Sequence, residues 1–101
     1  MTKVAIRPKA RFDLDDIWDY TIDAWGRDQA KIYLRAINHA FQKLAKNPHL
    51  GKKYDGIHEG LRAYPSGKHL IFYFKTNAGI DIVRILHERM DIISQGEDVG
   101  L

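Results

Sequence analysis

DLDDIWDYTIDAWGRDQAKIYL, residues 13–34, holds the reversal of direction from which the fold follows. In its first half Leu14, Ile17, Trp18, Thr21, Ile22 and Trp25 recur at helical spacing, with Asp13, Asp16, Asp19 and Asp23 over much of the opposite side. Gly26 is a stop signal, and Asp28 reads as the cap of a second helix. That helix continues through Ala30, Tyr33, Leu34, Ile37, Phe41, Leu44 and Ala45 until Asn47-Pro48 ends it, while Pro8 suits the first turn of the earlier one. Each helix has about 17–19 residues and so spans about 25–29 Å. Similar lengths, a tight link and facing apolar stripes predict an antiparallel helical hairpin. Trp18 and Trp25 read as core anchors, and Trp25→Ala is expected to cost about 3–5 kcal/mol.

Outward from the hairpin the period changes. Lys3–Ile6 is a short strand, and Gly51–Gly60 reads as a polar loop. Leu61–Tyr64 is a strand, Pro65-Ser66-Gly67 a turn, and His69–Lys75 a central strand rich in aromatic and aliphatic residues. Thr76–Gly79 turns into Ile80–His87, the longest strand. In His69–Lys75, alternation puts Leu70, Phe72 and Phe74 on one face and His69, Ile71, Tyr73 and Lys75 on the other. In the last strand it sets Val83 and Ile85 against Ile82, Arg84 and Leu86, and both faces are apolar enough that the buried side stays open. The expected fold class is α+β: an N-terminal strand, an antiparallel helical hairpin, then a three-stranded antiparallel meander, with the helices packed on one face of the sheet. Residues 1–101 are expected to form one domain, with residues 92–101 a flexible tail.

Composition excludes several classes. Of 101 residues 45% are hydrophobic and 29% charged, an ordinary globular balance. The absence of cysteine excludes disulfides, thiolate catalysis and Cys-ligated zinc. No apolar signal core or membrane-length run occurs, so a cytoplasmic protein without a membrane partner is expected. The net charge of +3 is unevenly spread: residues 31–75 carry nine Lys/Arg against Asp55 and Glu59. An acidic protein segment or nucleic acid could use such a basic stretch. No helix-turn-helix, zinc-finger or RNA-recognition signature is present, so sequence-specific nucleic-acid binding by this chain alone is not expected. His39, His49, His58, His69 and His87 show no metal-ligand spacing, and no phosphate-binding glycine fingerprint occurs, so neither metal nor cofactor is expected.

Residues 13–34 also resemble the helical hairpin of ParE-type toxins of the RelE/ParE toxin–antitoxin superfamily, in Asp13-Leu14-x-x-Ile17, Trp25-Gly26 and Gln29-Ala30. NPHLGKKYDGIHEGLRAYPSGKHLIFYF, residues 47–74, continues the likeness through Asn47-Pro48-x-Leu50-Gly51, Gly60-Leu61-Arg62, Gly67-x-His69 and Ile71-Phe72-Tyr73. IVRILHERMD, residues 82–91, closes it. The resemblance implies the RelE/ParE fold, a ParD-like antitoxin whose C-terminal segment wraps the toxin, DNA gyrase as target, and a role in plasmid stabilisation and stress responses.

The superfamily also contains ribosome-dependent mRNA endoribonucleases of the RelE type, which supply the alternative. Metal-free RNA cleavage needs a base, an acid and cations for the phosphate. The candidates are His87 as acid or base, Arg62, Arg84 and Arg89 as phosphate clamps, and Glu59 or Glu88 as a carboxylate base, with Lys52 and Lys53 as RNA contacts. Against this reading, the tyrosine of RNA-cleaving relatives is missing after the last strand, and Glu88 and Asp91 would repel phosphate. No catalytic residue is therefore expected, and His87 reads as structural. For the antitoxin, Arg62, Tyr73, Arg84 and Arg89 are the expected contacts.

Overall fold

A computed structural model describes residues 2–90. The expected tail, residues 92–101, lies outside them. Strand β1 (Lys3–Ile6) leads into helix α1 (Pro8–Trp25), and α2 (Arg27–Lys46) follows after the single residue Gly26. A short 3₁₀ turn (Pro48–Leu50) precedes β2 (Lys52–Lys53), β3 (Leu61–Ser66), β4 (His69–Lys75) and β5 (Gly79–His87). The strands form one sheet in the order β1-β5-β4-β3-β2. All pairs are antiparallel except β1 with β5. Parallel partners need a long connection, and everything between β1 and β5 provides it.

Gly26 is the hinge. Its φ of 90° lies where side chains are strained, and one such residue stops α1 and starts α2. No side chain caps α2. Asp28 instead sits inside its first turn, where its charge favours the positive end of the helix dipole. At the far edge, a side chain on Gly79 would strike the backbone of Lys3, so glycine lets β1 lie close against the start of β5.

The helices cover one face of the sheet, as the pattern predicts. Ile17, Ile37, Phe41 and Leu44 pack with Ile71, Tyr73, Ile80, Ile82 and Ile85. The other face carries a second apolar cluster of Leu61, Ala63, Phe72, Val83 and Leu86. Tyr54 and Ile57 pack against that cluster, and the His58 ring meets Phe74 edge-on at 5.3 Å. The segment expected as a plain loop, Gly51–Gly60, thus contains β2 and covers the second face of the sheet. A two-residue strand has no period to read, which is why the pattern missed it.

The question left open by β5 is answered by a β-bulge. From Lys75↔Ile80 to Tyr73↔Ile82 the pairing is regular, but Phe72 then pairs with Arg84, leaving Val83 as the extra residue. Alternation therefore slips by one. Ile80, Ile82 and Ile85 reach the helix side, and Val83 and Leu86 reach the other. Simple alternation had grouped Val83 with Ile85 and Ile82 with Leu86.

Where β1 ends, α1 takes over the edge of β5. Arg7 N–H still donates to the Ile82 carbonyl at 3.0 Å. Beyond it, the Asp13 carboxylate accepts the Ile85 N–H at 2.9 Å and both Arg84 Nε and Nη2, at 2.8 and 2.9 Å. The two side chains are only 12% and 11% exposed. Removing one partner of such a pair leaves an uncompensated charge.

Trp25 departs from expectation. It is 72% exposed. Its angular position on α1 is close to that of Leu14 and Trp18, but β5 stops at His87 and the last turn of α1 has no sheet beneath it. Two outcomes follow in chemical denaturation. Asp13→Ala should lower stability by about 3 kcal/mol or more. Trp25→Ala should stay within about 0.5 kcal/mol of wild type. A larger loss at Trp25 than at Asp13 would reverse this account of what holds α1 to the sheet.

Candidate functional site

The sequence-based candidates are placed in four settings. Arg62, on β3, donates from Nη1 to the carbonyls of Gly51 at 2.8 Å and His49 at 3.3 Å, and so holds the segment entering β2. It lines an open depression of about 490 Å³ together with Lys53, Asp55 and Glu59. Lys52 and Lys53 are exposed on β2. Tyr73 is fully buried. Its hydroxyl donates to the Pro48 carbonyl at 2.7 Å and accepts the Gly51 N–H at 2.8 Å, tying the 3₁₀ turn to the core. Burial pushes its phenol pKa up, against the opposing Gly51 hydrogen bond. Arg84 is engaged by Asp13 as described. Tyr73 and Arg84 therefore present little surface to a partner.

His87 and Arg89 lie at the opposite end of the sheet from Arg62. Across β3, β4 and β5, Arg62 is level with Tyr73 and Ile82, whereas Ser66 is level with His69 and His87. Four residues along β3 separate the two levels, about 13 Å of strand. The ribonuclease candidates are thus not gathered into one site.

What gathers around His87 is a different set. The bulge shifts β5 by one position, so that His87, and not Leu86, stands opposite His69. The two rings meet edge-to-face with centroids 5.4 Å apart. Tyr33, from α2, meets His69 at 5.6 Å, its hydroxyl 2.7 Å from Nδ1. The same hydroxyl accepts the Lys68 N–H at 2.9 Å and lies 3.3 Å from the Ser66 carbonyl. Between that hydroxyl and His69 Nδ1 the donor is set by the His69 tautomer. His87 Nδ1 accepts the Arg89 N–H at 3.1 Å, so its ring carries the proton on Nε2. Burial pushes the His69 pKa down, with the neighbouring His87 adding to the shift and Asp13 and Glu88 opposing it. Burial likewise raises the Tyr33 phenol.

These side chains border an open cavity of about 660 Å³. Tyr20, Trp25 and Gln29 form its helical wall, with Lys68 and Arg89 opposite. Of this group only His87 and Arg89 were singled out from sequence. His69, Tyr33, Lys68 and Trp25 come from four elements, and only the one-residue slip of the bulge brings the histidines together. Among the described residues no three His, Asp or Glu side chains converge as metal ligands. No helix among them is long and apolar enough to cross a membrane.

Residues 4–92 match the family of the ParE toxin of the type II toxin-antitoxin system, parDE. Toxin ParE1 of Mycobacterium tuberculosis is 45% identical over 92 residues, covering 90% of this chain and 94% of the relative. Toxin ParE1 of Caulobacter vibrioides is 35% identical over 83 residues, covering 82% and 85%. A solved structure of the chromosomal ParDE TA system from P. aeruginosa superposes with a TM-score of 0.73 at 21% identity, covering 86% of this chain and 96% of that one, which shows the shared fold.

The lowered pKa of His69 makes stability depend on pH. An unfolded histidine takes up its proton near pH ~6.5, whereas the folded site does so only at lower pH. As pH falls below about 6.5, the unfolded state gains protons first and stability is lost, until pH passes below the folded value. The stability difference between wild type and His69→Gln should therefore turn against wild type as pH is lowered from about 8 to about 5. A difference that is constant with pH, measured by urea denaturation, would contradict the depressed value.

Proposed function

Because this chain belongs to the ParE toxins of type II toxin–antitoxin systems, we propose that it stops growth by inhibiting DNA gyrase and is neutralised by a ParD-like antitoxin. The observation that carries the choice over mRNA cleavage is the dispersal of the cleavage set. Acid–base catalysis of phosphodiester cleavage needs its base, acid and phosphate clamps within hydrogen-bond reach of one scissile group. Arg62 lies at the other end of the sheet from His87, and Arg84 is occupied by Asp13. His87 and Arg89 are therefore left without either of the other two arginines assigned as clamps from sequence.

The comparison of two assays on one preparation tests this. Toxin freed of antitoxin should inhibit gyrase supercoiling and leave translation in an extract intact. A catalytic His87 would supply a factor of about 10²–10⁴, so His87→Ala would abolish mRNA cleavage if cleavage were the activity. Ribosome-dependent cleavage by wild type, lost in His87→Ala, with supercoiling unaffected, would replace gyrase inhibition by the ribonuclease reading.

For the antitoxin, the cations at the two ends of the sheet are the anchors. Arg62 beside Lys53 and Arg89 beside Lys68 offer charge to an acidic or amphipathic segment, while Tyr73 and Arg84 act behind that surface by holding the 3₁₀ turn and α1. A segment reaching both ends of the sheet would bury more than the ~1,600 Å² of a standard interface. Reversing both charges, Arg62→Glu with Arg89→Glu, should weaken the complex by about 2 kcal/mol or more, roughly thirtyfold in Kd by calorimetry. Unchanged affinity would place the antitoxin on a different surface.

A further inference from the structure

From the cavity at the end of the sheet we infer that this protein binds a nucleoside 5′-monophosphate group, with the phosphate against Lys68, Arg89, His69 and His87 and the base on Trp25. Both halves of such a ligand are matched. The strand side of the cavity carries the Lys68 ammonium, the Arg89 guanidinium and the His69 and His87 rings, the last with its proton on Nε2. Among the described residues no carboxylate lines it. Among the described residues neither Lys68 nor Arg89 is in an ion pair. Opposite stands Trp25, 72% exposed, with Tyr20, 69% exposed, beside it. An exposed indole facing cations offers a stacking surface to any base, whatever its sequence context. The volume of about 660 Å³ falls within the range of small-ligand sites, roughly 300–1,000 Å³.

The histidine pair adds a proton linkage. Burial, with the neighbouring His87 ring adding to it, disfavours protonation of His69. The other charged or titratable groups facing the pair are Tyr33 from α2, Asp13 from α1 and Glu88 after β5. A phosphate dianion placed beside the His69 ring favours its protonated form, so it binds together with a proton and more tightly at lower pH. Tyr33 fixes the His69 ring through Nδ1 and leaves Nε2 to meet the ligand.

The test is calorimetric titration of the full chain with AMP, adenosine and inorganic phosphate, at pH 6 and pH 8, with a 5′-phosphorylated hexadeoxyadenylate and its unphosphorylated twin as further arms. AMP should bind saturably, more tightly at pH 6, and better than adenosine or inorganic phosphate. Trp25→Ala should weaken AMP roughly tenfold while leaving inorganic phosphate unchanged. Arg89→Ala should weaken both, and His69→Gln should flatten the pH dependence. A phosphorylated strand that binds as well as AMP identifies a nucleic-acid end as the source of the group, and AMP binding in preference to the strand identifies the free nucleotide. Absence of saturable AMP binding at pH 6 would overturn the inference. So would equal binding of AMP and inorganic phosphate that is indifferent to Trp25→Ala, or binding of an acidic peptide at this cavity in place of AMP. Circular dichroism of each variant separates a lost site from a lost fold. Gyrase takes no part in these titrations, so their outcome and that of the supercoiling assay are independent.

Discussion

The Asp13 carboxylate stands where two kinds of backbone pairing change hands. Up to Ile82 the outer edge of β5 is satisfied by β1. After that point no strand among the described residues lies on that side, and an open edge would leave polar groups without partners in a half-buried place. Asp13 closes it by taking the Ile85 N–H, and the same carboxylate neutralises Arg84. One side chain thereby fixes the level of α1 along the sheet. The position of α2 follows, because a single residue joins the helices.

The bulge at Val83 lies one residue before this contact. A one-residue slip moves every following side chain to the other face. Here it delivers Ile85 to the helical core and His87 to a position opposite His69. The same irregularity therefore serves packing and builds the histidine pair. Overhang of α1 beyond the end of β5 completes the cavity, since Trp25 reaches past the sheet and keeps its ring in solvent. A polar site with an exposed indole is a poor contribution to stability, and exposed aromatic residues beside cations are the kind of surface that binding selects.

Placement of the arginines separates the tasks of residues that look equivalent in sequence. Arg62 organises the entry to β2, Arg84 anchors a helix, and Arg89 faces open solvent beside His87. Their separation is the observation behind the proposal of inhibition by binding. An inhibitor needs surface distributed over its contact area, while a nuclease needs its groups concentrated at one bond.

The α+β class, the helical hairpin and the meander were legible because they rest on local periodicity: Ile17 and Thr21, then Ile37, Phe41 and Leu44, repeat at the helical period, and Ile71 alternates with Leu70 and Phe72 at the strand period. The ordered motifs from Asp13 to Tyr73 likewise carried the family, because they are read along the chain. The cavity was not of that kind. Burial of Tyr73, exposure of Trp25 and the pairing of Arg84 with Asp13 depend on where elements end relative to one another, which no period records. The partnership of His69 with His87 depends on one unpaired residue in β5. Regular pairing through the Thr76–Gly79 turn would have set His69 against Leu86, and nothing in the alternation of Ile82, Val83 and Arg84 announces the slip. Sequence alone determined the apolar stripes of the helices, the two faces of β4 and the order of the elements; the tertiary structure decided which side chains meet, because that is set by long-range register and by the lengths to which neighbouring elements extend.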